Sequence, residues 1–303
     1  MKRIILTFSI LVPFLNPAYT QASQVVEKNI EETNSTYSIN KDVLYGVDNQ
    51  QKMDIYISKN PNKSKTSNFT VVFLHGGGWY ISDKTDVQKY IQPYLNRGIN
   101  VINLNYRLKE GIATASEDLT IALNYLQENN SIYHCNLKQV ILSGFSSGGH
   151  IASLVGLSAN NKSYPFPLHK KIKIAAIVNF AGPVDHLDVV EKTFMDWDMQ
   201  ITNTINVKDI GNAMFPSNGY VSKDSITSLE PITYFDKNDP PFFLWHGGND
   251  DQIIPSTFVE FIDLIKKDSK KNIEVFEQNY YHSPKPLELK EAYEKIFAFI
   301  DQL

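Results

Sequence analysis

Short apolar runs alternate with stretches of helical spacing along most of the chain. Thr70–Leu74 (TVVFL), Ile99–Leu104 (INVINL), Gln139–Leu142 (QVIL), Ile172–Val178 (IKIAAIV), Pro241–Trp245 (PFFLW) and Ile273–Phe276 (IEVF) have the length and near-continuous apolarity of buried strands. Gln51–Ile57 (QKMDIYI) instead alternates polar and apolar positions over most of its length, the period of a half-buried strand. Ala113–Gln127 carries Leu119, Ala122, Leu123 and Leu126 on one helical face, and Thr257–Lys267 and Leu287–Ile300 have the same spacing. Strands that alternate with helices in this way require right-handed crossovers, which give a mostly parallel sheet covered by helices on both faces. The predicted fold class is therefore α/β. In such a sheet, reacting groups collect on the loops at the carboxyl ends of the strands.

Composition narrows the class further. A chain of 303 residues, 42% hydrophobic with 17 Phe and 16 Tyr, can bury a large core without a disulfide or metal staple. Its 29 basic and 33 acidic residues leave a net charge of −4, which offers no electrostatic footprint for nucleic acid or anionic lipid. Cys135 is the single cysteine, so an intramolecular disulfide and a cysteine-based zinc site are both excluded; in its polar loop it reads as an incidental thiol. Residues 1–22 have the three parts of a secretory signal: Lys2 and Arg3, the apolar run Ile4–Leu15, and the small residues Thr20 and Ala22 before a cut at Ser23. The expectation is one catalytic domain over 23–303, exported to the periplasm or the medium. No other stretch is long and apolar enough to insert in a membrane.

Three loops carry unusual chemistry, and each follows a predicted strand. Gly144-Phe145-Ser146-Ser147-Gly148 lies between a strand and a helical run. At such a turn the G-x-S-x-G pattern cramps the backbone of the central serine and pushes its hydroxyl out over the sheet, at the amino end of a helix. His75-Gly76-Gly77-Gly78-Trp79 places three glycines after a buried strand, where each lowers stability. They make sense as a source of free N–H groups for an oxyanion, with Gly77, Gly78 and Ser147 as the donors. His75 then holds the loop, and Trp79 is expected to wall the substrate pocket. A serine hydroxyl also needs an imidazole to take its proton and a carboxylate to orient that imidazole. With this elbow the chain order is serine, acid, histidine, and of seven histidines only His282 lies beyond an acid placed after PFFLWHG. Asp250 has the better spacing from the strand end and Asp251 the better spacing to Pro255; Asp250 is favoured and Asp251 stays open as the alternative.

Taken together, these segments resemble the α/β-hydrolase superfamily, and more narrowly its carboxylesterases with an HGGGW oxyanion loop. That group includes feruloyl-esterase-like enzymes and borders the hormone-sensitive-lipase and kynurenine-formamidase branches. The resemblance spans about residues 40–302 and includes Met53-Asp54-Ile55-Tyr56, Asn105-Tyr106-Arg107-Leu108 and Asp239-Pro240-Pro241. It implies an α/β-hydrolase fold and hydrolysis of a small-molecule or polymer-borne ester through an acyl-enzyme. The roles it implies are Ser146 as nucleophile, His282 as base and Asp250 as its partner, with no metal or organic cofactor. Amide hydrolysis, as in an aryl formamidase or a peptidase, is the nearest alternative; a catalytically silent binding module on the same fold is the other. Two departures stand out: an extra residue before Pro255, and no glycines beside His282. Residues 187–228 form an insertion without clear period, expected to cap the pocket with Phe194, Trp197, Met199 and Phe215, or else to decorate the surface.

Overall fold

The computed structural model describes residues 36–60, 68–216, 223–268, 273–277 and 279–303. The signal sequence expected over residues 1–22 lies outside them. The central sheet is built from β1 (Tyr37–Leu44), β2 (Lys52–Ser58), β3 (Thr70–Leu74), β4 (Asn100–Leu104), β5 (Val140–Phe145), β6 (Ile174–Phe180), β9 (Phe242–Gly247) and β10 (Ile273–Glu277). Its spatial order is β1-β2-β4-β3-β5-β6-β9-β10. β1, β2 and β4 pair antiparallel, and every pair from β4 to β10 is parallel.

The helices cover both faces. α1 (Gln88–Asn96) and α7 (Pro286–Ile300) pack on one; α2 (Gly111–Glu128), α3 (Ser147–Ser158) and α6 (Val259–Asp268) pack on the other. The period-two geometry of a strand explains the division. In β3, Val71 and Phe73 join the layer of α1 and α7, whereas Val72 and Leu74 join the layer of α2 and α3. A strand buried on both sides must be apolar throughout, which is why TVVFL shows no alternation.

β1 and α1 go beyond the elements expected from the pattern. The alternation of β1 is broken by a bulge between Asn40 and Val43, where Asp42 takes a positive φ. α1 contains Pro93, and its core face is made of Tyr90, Ile91, Tyr94 and Leu95 among polar residues. The insertion is also more regular than expected. Over its described residues to Met214 it folds as α4 (Leu187–Asp196), a hairpin of β7 (Gln200–Thr202) and β8 (Ile205–Asn206), and α5 (Val207–Met214).

Sheet register places the chemistry-bearing loops. Leu74 pairs with Gly144, so the glycine run after β3 lies beside the serine turn after β5. Gly247 pairs with Glu277, so the loop carrying Asp250 lies beside the loop carrying His282. Two backbone bonds tie that second pair: Gly248 N–H donates to Glu277 at 2.8 Å and Asn249 N–H to Tyr280 at 2.9 Å.

Candidate active site

Ser146 sits between β5 and α3 with φ 54° and ψ −123°, a backbone conformation that L-residues rarely adopt. Its N–H donates to Phe180 O at 2.8 Å, fixing the turn to β6. The turn is passable because Gly148 has no side chain: a Cβ there would lie 2.3 Å from Leu74 O and 2.4 Å from His75 O.

His282 Nε2 lies 2.9 Å from Ser146 Oγ, and His282 Nδ1 lies 2.8 Å from Asp250 Oδ2. A carboxylate only accepts, so Nδ1 carries the imidazole proton and Nε2 is left to accept from the serine hydroxyl. The other oxygen of Asp250 accepts from the amides of Gln252, at 3.0 Å, and Ile253, at 2.9 Å. Asp250 is buried by this arrangement, whereas Asp251 turns to solvent. Ser146, His282 and Asp250 thus form one hydrogen-bonded chain drawn from three loops, while Asp251 stands outside it.

Beside the serine, Gly77, Gly78 and Trp79 all have positive φ, at 108°, 63° and 58°. The reversal frees the amides of Gly77 and Gly78, which no acceptor takes among the described residues. Ser147 opens α3, where N–H groups have no intrahelical partner. His75 is fully buried, and desolvation lowers its pKa, so the ring is neutral. Its Nδ1 lies 2.6 Å from Gly76 O and its ring stacks on Tyr106 at 4.4 Å. Trp79 corrects an expectation: rather than walling the pocket, its side chain points into the core and meets His150 edge-on at 5.3 Å. Cys135 is buried as well, which pushes its thiol up to about 12 and removes any thiolate.

A cavity of about 270 Å³ opens over the serine. Gly77, Gly78, Phe145, Ser146 and His282 form its floor. The insertion supplies most of the wall through Phe194, Trp197, Met199, Ile201, Val207 and Ile210, while Gln252 and Ser283 add polar edges. Phe215 is not part of this wall; it is buried in the core beyond α5. The Ile210 methyl presses so close on the glycine loop after β3 that a Cβ on Gly78 would lie 2.4 Å from it. Pattern reading missed Val207 and Ile210, and also Ile81, Ile201, Gln252 and Ser283. The capping box of Asn206 and Asp209 at the head of α5 was the available signal for the first two. Among the described residues one group could hold a cation: Asp185, His186 and Glu260 bring ligand atoms within 4.8 Å of one another, with Glu260 exposed. No described helix is long and apolar enough to cross a membrane.

Comparison with known proteins agrees with this architecture. The profile of the family described as BD-FAE matches residues 53–262. The probable carboxylic ester hydrolase LipM of Mycobacterium tuberculosis is 24% identical over 243 residues, covering 78% of this chain and 54% of that protein. Esterase LipC of the same organism is 23% identical and covers 76% and 56%. The chain spans about half the length of the curated relatives it matches. Esterase B of Lactobacillus rhamnosis superposes with a TM-score of 0.64 at 17% identity, over 94% of this chain and 93% of that one, which makes the fold an α/β-hydrolase fold.

Proposed function

Because the chain belongs to the BD-FAE family, a family of α/β-hydrolase feruloyl esterases, we propose that it is an exported carboxylic-ester hydrolase working through Ser146, His282 and Asp250. The observation that carries this reading is the 2.9 Å approach of His282 Nε2 to a serine hydroxyl held on a strained turn, with Asp250 behind the ring at 2.8 Å.

In the proposed reaction Ser146 Oγ attacks the ester carbonyl carbon and its proton passes to His282 Nε2. Asp250 keeps the proton on Nδ1 and offsets the charge of the resulting imidazolium. The carbonyl oxygen becomes an oxyanion, and the free amides of Gly77, Gly78 and Ser147 are its donors; each such donor typically contributes roughly 10²–10³ in rate. Collapse breaks the bond to the alcohol, which leaves with the proton of His282. Water then attacks the acyl-enzyme, gives its proton to the same nitrogen, and releases the acid while Ser146 recovers its hydrogen.

The apolar wall of Phe194, Trp197, Met199 and Ile210 supports an apolar acyl or alcohol group, with the insertion acting as the cap. Export rests on the N-terminal pattern, and the mature chain is expected to begin at Ser23. The central test is Ser146→Ala. It should abolish hydrolysis of p-nitrophenyl acetate and labelling by a fluorophosphonate while leaving the thermal melting transition in place. Turnover retained by that variant would overturn the reading.

A further inference from the structure

The proposed oxyanion donors come from two separate loops, one after β3 and one after β5, and a rate advantage requires them to converge on one oxygen atom. A single buried hydroxyl joins those loops. Tyr106 follows β4, outside both loops, and its Oη lies 3.1 Å from His75 O and 3.1 Å from Ser147 Oγ. Its ring stacks on the His75 imidazole at 4.4 Å with 14° between the planes. The side chain is fully buried, and burial pushes its ionisation far above the ordinary tyrosine range, so it keeps its proton. That one proton goes to the His75 carbonyl, leaving the phenol oxygen to accept from the Ser147 hydroxyl.

We propose that the Tyr106 hydroxyl is a positioning group for the oxyanion donors, locking the peptide that precedes the glycine run to the residue that follows the nucleophile. The inference rests on the esterase reading above and adds a residue that touches neither substrate nor reacting atoms. Geometry leaves the linked segments little other freedom. The His75 carbonyl that Tyr106 holds is the same one against which Gly148 packs, where a Cβ would lie 2.4 Å from it. Downstream, Gly77 and Gly78 both have positive φ, and the run is held at its far end by Tyr80 and Ile81 N–H donating to Gly77 O at 3.1 and 3.0 Å, so the Tyr106 bond fixes its near end.

Tyr106→Phe keeps the stacked ring and removes only the bridge. With p-nitrophenyl acetate as substrate, kcat should fall about tenfold while KM stays within about twofold, a fraction of what a whole donor contributes. Affinity for an aryl trifluoromethyl ketone, whose adduct with Ser146 carries an oxyanion, should weaken by the same factor as kcat/KM. Ser147→Ala keeps the backbone amide and breaks the same bridge from the other side, so it should match Tyr106→Phe. The double variant should be no worse than either single one. An unchanged kcat, a loss confined to KM, or losses that multiply in the double variant would each overturn the proposal. If Tyr106→Phe fails to fold, Ser147→Ala decides alone by the same criteria. Ser146→Ala, run in parallel, keeps the two ideas apart: activity there defeats the esterase reading, whereas inactivity there with a normal Tyr106→Phe defeats only the bridge.

Discussion

Asp250 and Asp251 are adjacent and chemically identical, and the backbone separates them. Asp250 lies where two amides and His282 converge on its carboxylate, whereas the next side chain points to water. Asp250→Asn is expected to lower kcat by roughly 10³–10⁴-fold, because an amide there can hold the wrong imidazole tautomer. Asp251→Asn should stay within about twofold of wild type in the same steady-state assay; equal losses in both would make the loop, and not the carboxylate, responsible. The sequence narrowed the acid to two positions and went no further, since spacing counts residues along the chain and not the direction in which each side chain leaves it. Trp79 shows the same limit. The motif gives its neighbours, but not that the indole packs on His150 in the core and leaves the cavity lining to other residues.

The insertion between β6 and β9 shows what a pattern without period can hide. α4 and α5 are short helices joined by a small hairpin, each too brief to repeat its apolar spacing convincingly. They pack on each other and lower Phe194, Trp197 and Ile210 over Ser146. In the proposed enzyme this cap sets how much acyl or alcohol volume is admitted. Trp197→Ala should therefore raise kcat/KM for a bulkier ester relative to p-nitrophenyl acetate by about tenfold, the range that one filled or emptied apolar subsite supplies. The check is a chain-length series of p-nitrophenyl esters, with fluorophosphonate labelling of Ser146 as the control. Selectivity that does not move would make the insertion a surface decoration. β1 escaped the sequence reading for a related reason: a bulge at Asp42 shifts its alternation out of phase halfway along.

The fold brings together residues that are 136 positions apart, Ser146 and His282, and buries ionisable groups in doing so. One consequence is a pH limit on stability. His150, fully buried on α3, gives one ring nitrogen to Leu229 O at 2.9 Å, and desolvation lowers its pKa to about 4. An unfolded histidine titrates near 6.5, so below that pH the unfolded chain binds a proton that the folded chain refuses. This contribution is fully present above about pH 6.5 and is lost as pH falls toward 4, to a total of about 3 kcal/mol. Buried His75, also lowered, acts in the same direction. Urea denaturation at pH 7 and pH 4.5 should show the loss, and His150→Gln, whose amide can still donate to Leu229, should flatten it; an identical slope in that variant would assign the effect to other groups.

Strands β2 to β6, β9 and β10, helices α2, α3, α6 and α7 and the three chemistry-bearing loops were legible in the sequence, because continuous apolar runs, 3.6-residue spacing and glycine clusters are local signals with local causes. Chain order even singled out His282 from seven histidines. The choice between two aspartates, the inward turn of Trp79, the seat of Ile210 against Gly78 and the bridge from Tyr106 to Ser147 were fixed by folding alone. Each depends on where a side chain meets a partner remote in the chain, and that meeting is set by strand register and backbone direction, which one-dimensional spacing does not encode.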